Sequence, residues 1–338
     1  MLMLNPSKFL FIMVLILGTL ISISSNSWPA TWIGLEINLL AFIPLMSSKD
    51  SMMSTEASMS YFIVQAMASS MLLTLTISNL MITFISKEML NSIIASTLLI
   101  KMGAPPFHMW FPSVMEGLSW FNCLVLMTWQ KLAPFVILSY LTFNQQIMTF
   151  IMIFSVIIGS IGGLNQTSLR KIMAYSSINH IGWMLLALTL SENLWQIYYV
   201  IYTIMSSTVI LIFHNMSSQH INQISLNWLP TMSKFILLIS LLSLGGLPPF
   251  LGFLPKWVVI QASVYSEMYF VITSMILITL ATLFYYLRLA MTSFLMTSTQ
   301  PNWNQKTSSK FMISKYTSVL SVISLTALPL YTVLFYGS

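Results

Sequence analysis

The sequence predicts an all-α polytopic membrane protein, a bundle of about eleven transmembrane helices. Hydrophobic residues make up 57% of the 338-residue chain and charged residues only 6%, whereas a soluble domain carries roughly 25% charged residues. The apolar runs have the length of helices, and a membrane β-barrel would instead show alternating strands of about ten residues. Lipid is therefore the main solvent, and helices satisfy their own backbone hydrogen bonds in it.

Short polar segments separate the apolar runs and set the expected spans. These are 8–24, 28–46, 57–83, 89–104, 114–142, 147–164, 171–190, 195–216, 233–265, 269–296 and 316–336. Residues 114–142 and 233–265 are long for one crossing, so each must tilt, kink or break. The first run resembles a signal peptide, but the following SISSNSW lacks a small-residue cleavage site, which favours an uncleaved first helix.

The basic residues predict the orientation of the helices. When the loops are numbered alternately, one side collects Lys8, Lys49, Arg170, Lys171, Lys234, Arg288, Lys306, Lys310 and Lys315. The other side collects essentially Lys87 alone. Because basic loops stay on the inner side of a membrane, we expect the N-terminus inside and the C-terminus outside.

Two similar short segments interrupt the apolar pattern. Residues 103–107 read GAPPF, and residues 246–250 read GLPPF, with Lys101 before the first and Lys256 after the second. Gly/Pro interruptions in corresponding positions of two halves are typical of transporters built from inverted repeats, with the ion path at the breaks. A coincidence of loop composition is the alternative, because the match is short.

Four charged residues fall inside predicted spans, namely Glu36, Lys101, Lys131 and Lys256. Each costs about 2.5–3.5 kcal/mol or more at the centre of a bilayer, which indicates a shared purpose. Burial favours neutral lysine and protonated glutamate, so such groups can load and release protons. The alternatives are side chains that reach the membrane surface or static ion pairs within the bundle.

The remaining candidate residues are weaker. His108 follows the first interruption and is either a proton relay or a residue of the membrane surface. His180 lies in a helical run and is interpreted as a packed, hydrogen-bonded histidine. His214 and His220 are assigned to the surface, and Glu116 and Glu192 to the ends of spans. The single cysteine, Cys123, is interpreted as a small buried apolar residue; it excludes a disulfide framework and a CxxC site, and no metal site is expected.

Five segments resemble the NADH:ubiquinone oxidoreductase chain 2 family, the mitochondrially encoded antiporter-like membrane subunits of respiratory complex I. They are KMGAPPFHMWFP, MTWQKLAPF, LRKIMAYSSINHIGWM, GGLPPFLGFLPKW and NSWPATWIGLEINLLAFIP. The resemblance extends over nearly the whole chain, and residues 297–315 are the least distinctive. It implies the animal form of the family, with eleven helices.

The resemblance implies two inverted five-helix repeats with broken helices, residues 1–143 and 144–296, followed by a loop and C-terminal helix over 297–338. It pairs Glu36 with Lys101, places Lys131 on a central proton axis and Lys256 at the second broken helix, and leaves the role of His108 less defined.

The resemblance also implies the surroundings of the chain. The expected location is the mitochondrial inner membrane, with the N-terminus in the matrix and the C-terminus in the intermembrane space. The expected partners are the lipid bilayer and other membrane-arm subunits, among them the neighbouring antiporter-like subunit and the small membrane subunits, with no nucleic acid. The resemblance assigns flavin, Fe–S clusters and ubiquinone to other subunits, so that this chain carries no redox chemistry, and it leaves open bound phospholipid.

Three functions compete at this point. The first is a subunit that translocates protons while other subunits oxidise NADH and reduce ubiquinone. The second is an independent cation/proton antiporter, which would exchange Na⁺ or K⁺ on its own. The third is a helical scaffold that transmits movement and carries no protons.

Overall fold

The computed structural model describes residues 6–48, 51–81, 87–142, 144–226, 231–295 and residue 322. These residues form helices α1 (Pro6–Ser24), α2 (Trp28–Met46), α3 (Met52–Met81), α4 (Lys87–Met102), α5 (Trp110–Gly117), α6 (Trp120–Met127), α7 (Trp129–Ser139), α8 (Gln145–Leu164), α9 (Leu169–Leu190), α10 (Glu192–Met216), α11 (Ile221–Leu226), α12 (Thr231–Gly245), α13 (Phe253–Tyr265) and α14 (Tyr269–Leu295). Apart from residue 322, the predicted span 316–336 lies outside the described residues.

Seven helices in this part of the chain are long and apolar enough to cross a membrane. They comprise α1, α2, α3, α8, α10, α14 and the combined α6–α7 segment. Among the other predicted spans, α4 is shorter, α9 carries several polar residues, and 233–265 is divided into α12 and α13. The all-α membrane prediction is confirmed, and the count of eleven stays a prediction.

The predicted span 114–142, which was expected to tilt, kink or break because of its length, is interrupted twice. Its first residues belong to α5, which ends at Gly117, and α6 begins at Trp120. A second interruption falls at Thr128, where the backbone has φ −110° and ψ −79°. The Thr128 hydroxyl donates to the Leu124 carbonyl at 2.7 Å, a side-chain bond of the kind that bends helices.

The chain divides into two compact units, Met1–Ser155 and Val156–Ser338. In the first unit, α1 and α2 form a closely packed hairpin. A Cβ atom on Gly34 would lie 2.6 Å from the Ser22 nitrogen, and one on Gly18 would lie 2.8 Å from the Asn38 nitrogen. Glycine at both positions therefore lets the two backbones approach, as small residues do between membrane helices.

Replacing Gly34 with alanine is expected to lower the stability of the assembled protein by about 1–3 kcal/mol, because the added Cβ meets backbone atoms that move only if the helices separate. Thermal unfolding in detergent, followed by size-exclusion chromatography, measures the effect. The matched control is Ile33→Ala, since that neighbouring side chain is 47% exposed. An unchanged midpoint for Gly34→Ala would contradict the proposed contact.

In the second unit, α9 is the central helix, since nearly all of its side chains from Ile172 to Leu188 are buried. It contacts α10 and α13. Arg288 on α14 donates from Nη1 to the Leu164 carbonyl at 2.8 Å and from Nη2 to the Gln166 carbonyl at 2.9 Å. The guanidinium group thus satisfies carbonyls that the end of α8 leaves without a helical partner.

Candidate functional site

The first predicted interruption is a helix end with a glycine cap. Gly103 has φ +75°, a left-handed conformation that glycine adopts without steric cost. The Ala104 N–H donates to the Leu99 carbonyl at 2.9 Å, which is the hydrogen bond of a Schellman motif. The following Pro105–Pro106 peptide bond is cis. Helix α4 therefore ends at Met102, and the chain stays non-helical until α5 begins.

Side chains satisfy the carbonyls that this break exposes. The Trp110 Nε1–H donates to the Ile100 carbonyl at 3.2 Å, and the Gln65 Nε2–H donates to the Lys101 carbonyl at 3.2 Å. Because an unsatisfied carbonyl is costly where water is excluded, these two contacts stabilise the broken helix and hold α3 against it.

Lys101 is 7% exposed and lies at the C-terminal end of α4. A cavity of about 20 Å³ adjoins it, room for about one water molecule. The cavity is lined by Leu35, Asn38, Leu39, Tyr61, Gln65, Lys101, Gln130 and Pro134. The C-terminal end of a helix carries partial negative charge, which favours the ammonium form of this lysine.

A chain of polar contacts crosses the same cavity. The Gln130 Nε2–H donates to Asn38 Oδ1 at 3.0 Å, and the Tyr61 hydroxyl donates to Gln130 Oε1 at 3.4 Å. The sequence interpretation did not single out these residues. The available signal was the position of Asn38 and Gln65 in the middle of apolar runs, where an uncharged polar residue also costs free energy unless it is hydrogen-bonded.

Glu36 lies on α2 and is half-buried. Its charge acts on Lys101 electrostatically, so the structure places these two predicted residues in one electrostatic environment within the first unit. Glu36 does not line the Lys101 cavity, whereas Leu35, Asn38 and Leu39 of the same helix do.

Lys131 lies on α7, three residues after the interruption at Thr128, and is only 1% exposed. Its ammonium nitrogen is 5.0 Å from the centroid of the Phe111 ring, within the range of a cation–π interaction. This lysine is therefore held in the interior of the first unit and does not extend to the membrane surface.

The second interruption repeats the geometry of the first. Gly246 has φ +80°, and the Pro248–Pro249 peptide bond is cis. The Leu247 N–H donates to the Leu242 carbonyl at 3.3 Å, so α12 also ends in a Schellman motif. The similarity of GAPPF and GLPPF in the sequence thus corresponds to two similar helix ends.

The Lys256 side chain extends from α13 to the C-terminal end of α12. Its ammonium donates to the Gly245 carbonyl at 2.9 Å, and it lies 5.8 Å from the centroid of the Trp183 ring. The side chain is 6% exposed. The charge therefore satisfies a carbonyl left open by the break, at the negative end of the helix dipole.

The glycine after this carbonyl makes room for the lysine. A Cβ atom on Gly246 would lie 2.9 Å from both Nζ and Cδ of Lys256. Gly246 is thus favoured by its left-handed backbone conformation, and any larger residue there would also require the Lys256 side chain to shift.

The histidines occupy different environments. His108 is buried, and its Nδ1–H donates to the Pro106 carbonyl at 3.2 Å. His180 is buried, with Nδ1 3.0 Å from the Tyr198 hydroxyl, so it is packed and hydrogen-bonded as expected. His214 and His220 are exposed, in agreement with their assignment to the surface.

The other weak candidates also have defined positions. Cys123 is fully buried, and its thiol lies 3.5 Å from the Met115 carbonyl oxygen. Glu192 is exposed in the first turn of α10, and Glu116 is half-buried near the end of α5. Within the described ranges, no three His, Cys, Asp or Glu residues are grouped in a way that could hold a metal ion.

Comparisons with known proteins show where this geometry belongs. The family described as "NADH:quinone oxidoreductase/Mrp antiporter, TM" matches residues 25–283. The chain is 46% identical to NADH-ubiquinone oxidoreductase chain 2 of Anopheles gambiae, over 97% of this chain and 98% of that protein. It is 40% identical to the protein of the same name from Latimeria chalumnae, over 93% of each chain.

The chain belongs to the NADH-ubiquinone oxidoreductase chain 2 family. This confirms the family expected from the motifs.

Solved structures of lower sequence identity show the same fold. A chain of respiratory complex I from Thermus thermophilus superposes with a TM-score of 0.83 at 22% identity, covering 98% of this chain and 80% of that one. A chain of the Mrp complex from Dietzia gives a TM-score of 0.80 at 16% identity, covering 96% and 75%. The antiporter-like fold is therefore common to respiratory and Mrp membrane complexes.

Proposed function

We propose that this chain is a core membrane-arm subunit of respiratory complex I and translocates protons through buried charged residues. The observation that carries the proposal is the burial of Lys101, Lys131 and Lys256, which are 7%, 1% and 6% exposed. The first and third lie at helix ends closed by left-handed glycines. The similarity to chain 2 proteins over nearly the whole chain supports the assignment to complex I.

The chemistry of the chain's own residues fits proton transfer. A buried lysine gains or loses a proton readily, since low polarity destabilises its charge and nearby groups restore part of that stability. Lys101 has the charge of Glu36 nearby, and Lys256 has the Gly245 carbonyl. A change in the charge of a neighbouring site can therefore shift each lysine between its two states.

The proposal includes the finer architecture that the resemblance implies. We assign two inverted five-helix repeats to residues 1–143 and 144–296, and a loop with an eleventh helix to 297–338. The paired breaks after α4 and α12 support this assignment because they share a glycine cap and a following Pro–Pro sequence. Glu36, Lys101, Lys131 and Lys256 would form the proton path, with His108 as a candidate relay.

The proposal also covers location and partners. We place the chain in the mitochondrial inner membrane with the N-terminus in the matrix and the C-terminus in the intermembrane space, as the basic residues favour. The neighbouring antiporter-like subunit and the small membrane subunits are the proposed partners, with bound phospholipid among the helices. Flavin, Fe–S clusters and ubiquinone belong in this proposal to other subunits, and NADH oxidation there drives the protons here.

Lys101→Met tests the proposed function. In proteoliposomes that contain the assembled complex, we expect the number of protons pumped per NADH oxidised to fall, since methionine keeps the shape of the side chain and cannot carry a proton. The matched control is Lys234→Met near the start of α12, because Lys234 is only half-buried. Assembled Lys101→Met complex with the parent's proton-to-electron ratio would contradict a proton path through this lysine.

A second candidate function is an independent cation/proton antiporter, favoured by the structural similarity to the Mrp complex. It predicts that the isolated chain in vesicles exchanges Na⁺ or K⁺ for protons. Comigration of the chain with NADH-oxidising activity, without such exchange by the isolated chain, supports the complex I assignment. A static scaffold predicts instead that Lys101→Met leaves pumping unchanged in the assembled complex.

A further inference from the structure

Tyr198 and Tyr202 contact His180 in the second unit, and Tyr286, which packs against Tyr285, lies close enough to both to act on them electrostatically. We call Tyr198, Tyr202, Tyr285 and Tyr286 the tyrosine cluster. Each of the four is at most 1% exposed. Tyrosine hydroxyls buried this deeply need hydrogen-bond partners, because burying an unpaired polar group is unfavourable. The proton path described above does not use these groups.

The cluster is a connected set of polar side chains. His180 Nδ1 lies 3.0 Å from the Tyr198 hydroxyl, and the His180 ring centroid lies 5.0 Å from that of Tyr202. The Tyr285 and Tyr286 rings have centroids 4.6 Å apart. Two serines of α9 complete the set, since the Tyr202 hydroxyl interacts with Ser177 and the Tyr286 hydroxyl with Ser176.

One end of this cluster adjoins the second helix break. The Tyr286 ring lies 3.6 Å from the position that a Cβ atom would take on Gly245, and the Gly245 carbonyl accepts the hydrogen bond from Lys256. Ser176, His180 and Trp183 are spaced by four and three residues and therefore share one face of α9. The centroid of the Trp183 ring on this face lies 5.8 Å from Lys256 Nζ.

The other end reaches the connection between α8 and α9. The Tyr285 Cε1 atom lies 2.8 Å from the position of a Cβ atom on Gly163, near the end of α8. One turn further along α14, Arg288 binds the Leu164 and Gln166 carbonyls. The cluster thus extends from the lysine at the break to a loop at one end of the helices.

Two hydroxyls of the cluster point to a ligand. In the part of the chain that the structure describes, the fully buried hydroxyls of Tyr285 and Tyr286 have no partner with hydrogen-bonding geometry, despite their closeness to each other and to Ser176. Buried polar groups of this kind in folded proteins are normally bound to ordered water. Water is the ligand whose size and chemistry suit groups that both donate and accept.

We propose that the tyrosine cluster and His180 bind water and form a proton path that joins Lys256 to the connection between α8 and α9. The path rests on the proposed function, because it carries the proton that Lys256 exchanges. A proton leaving the Lys256 ammonium leaves a neutral amine. Each water or hydroxyl along the path accepts one proton and passes on another, and His180 accepts at one ring nitrogen while it releases at the other. The chain of groups returns to its original composition after each transfer, without forming a tyrosinate.

The Tyr285→Phe/Tyr286→Phe double variant tests this path, because it removes two hydroxyls and keeps both rings. In the assembled complex in proteoliposomes, we expect proton-coupled turnover to fall by about 100-fold and the solvent deuterium isotope effect on turnover to increase. The matched control is Tyr175→Phe, since Tyr175 lies on α9 and packs against Gly162 outside the cluster. Parental turnover and an unchanged isotope effect in the double variant would overturn the path.

Two further measurements separate the possible outcomes. If Lys256→Met abolishes pumping while the tyrosine variant does not, the tyrosine path is wrong and the proposed function stands. If neither variant changes pumping, neither the tyrosine path nor proton transfer through Lys256 is correct. If the double variant does not assemble, a high-resolution map of the unmodified complex decides. Ordered water within hydrogen-bonding distance of the Tyr286 and Ser176 hydroxyls supports the path, and its absence there overturns it.

Discussion

Replacing Gly246 with alanine is expected to displace the Lys256 ammonium from the end of α12 and to lower proton pumping by roughly 100-fold, the lower end of the scale for losing one proton-transfer group. The new Cβ would lie 2.9 Å from Lys256 Nζ, so the hydrogen bond to the Gly245 carbonyl cannot persist in its present form. Leaving that carbonyl unsatisfied costs about a further 1–3 kcal/mol of stability.

Gly246→Asn separates the two reasons for the glycine. Asparagine tolerates the left-handed conformation better than alanine, but it introduces the same Cβ beside the lysine. Proton-to-electron ratios of the assembled complex should therefore fall in both variants. A second check uses Lys256→Met as the background, in which Gly246→Ala should cause little additional loss. If Gly246→Asn pumped like the parent, backbone strain alone would explain the glycine, and the lysine contact would have no functional role.

Lys131→Met is expected to reduce proton pumping by roughly 100-fold or more while the complex still assembles. Lys131 is 1% exposed, and replacing a buried charge by an apolar side chain of similar volume is often neutral or stabilising. Lysine at this position therefore lowers the stability of the protein, and a role in proton transfer would explain why it is present. Measurement of the proton-to-electron ratio, together with quantification of assembled complex on native gels, separates the two effects.

Lys131→Arg distinguishes proton transfer from a static charge. Arginine keeps the positive charge and the capacity for a cation–π contact with Phe111, but it does not release its proton in proteins. We therefore expect the arginine variant to pump as poorly as the methionine variant. Full pumping by Lys131→Arg would show that this position needs only a charge, as the scaffold hypothesis predicts.

The helix breaks illustrate how far sequence reasoning reaches. Gly103 and Gly246, each followed by adjacent prolines, predict two interruptions because glycine permits the left-handed cap and proline cannot continue a helix. The structure has both breaks at these residues. The length of 114–142 indicated a tilt, kink or break, but the positions of its interruptions, after Gly117 and at Thr128, were not predicted, because no pattern of apolar residues marks them.

The candidate site residues also divide into those that the sequence reveals and those that only packing reveals. Charged residues in apolar runs stand out in a sequence because their cost in lipid is large, and this singled out Glu36, Lys101, Lys131 and Lys256. Uncharged polar residues cost less and are common in membrane helices, so Gln65 and Gln130 were missed beside Lys101. The tyrosine cluster was missed because aromatic residues are expected in apolar runs and only packing brings their hydroxyls together.

The sequence by itself determined that the protein is helical and membrane-embedded, where its helices break, and which charges are placed at a cost in free energy. These properties follow from composition and from residues with strong local preferences. Only the tertiary structure decided that the Gly245 carbonyl binds Lys256, that amides line the Lys101 cavity, and that Tyr198 and Tyr202 meet at His180. Such contacts join residues distant in the chain, and their formation depends on how helices pack, which local preference does not specify.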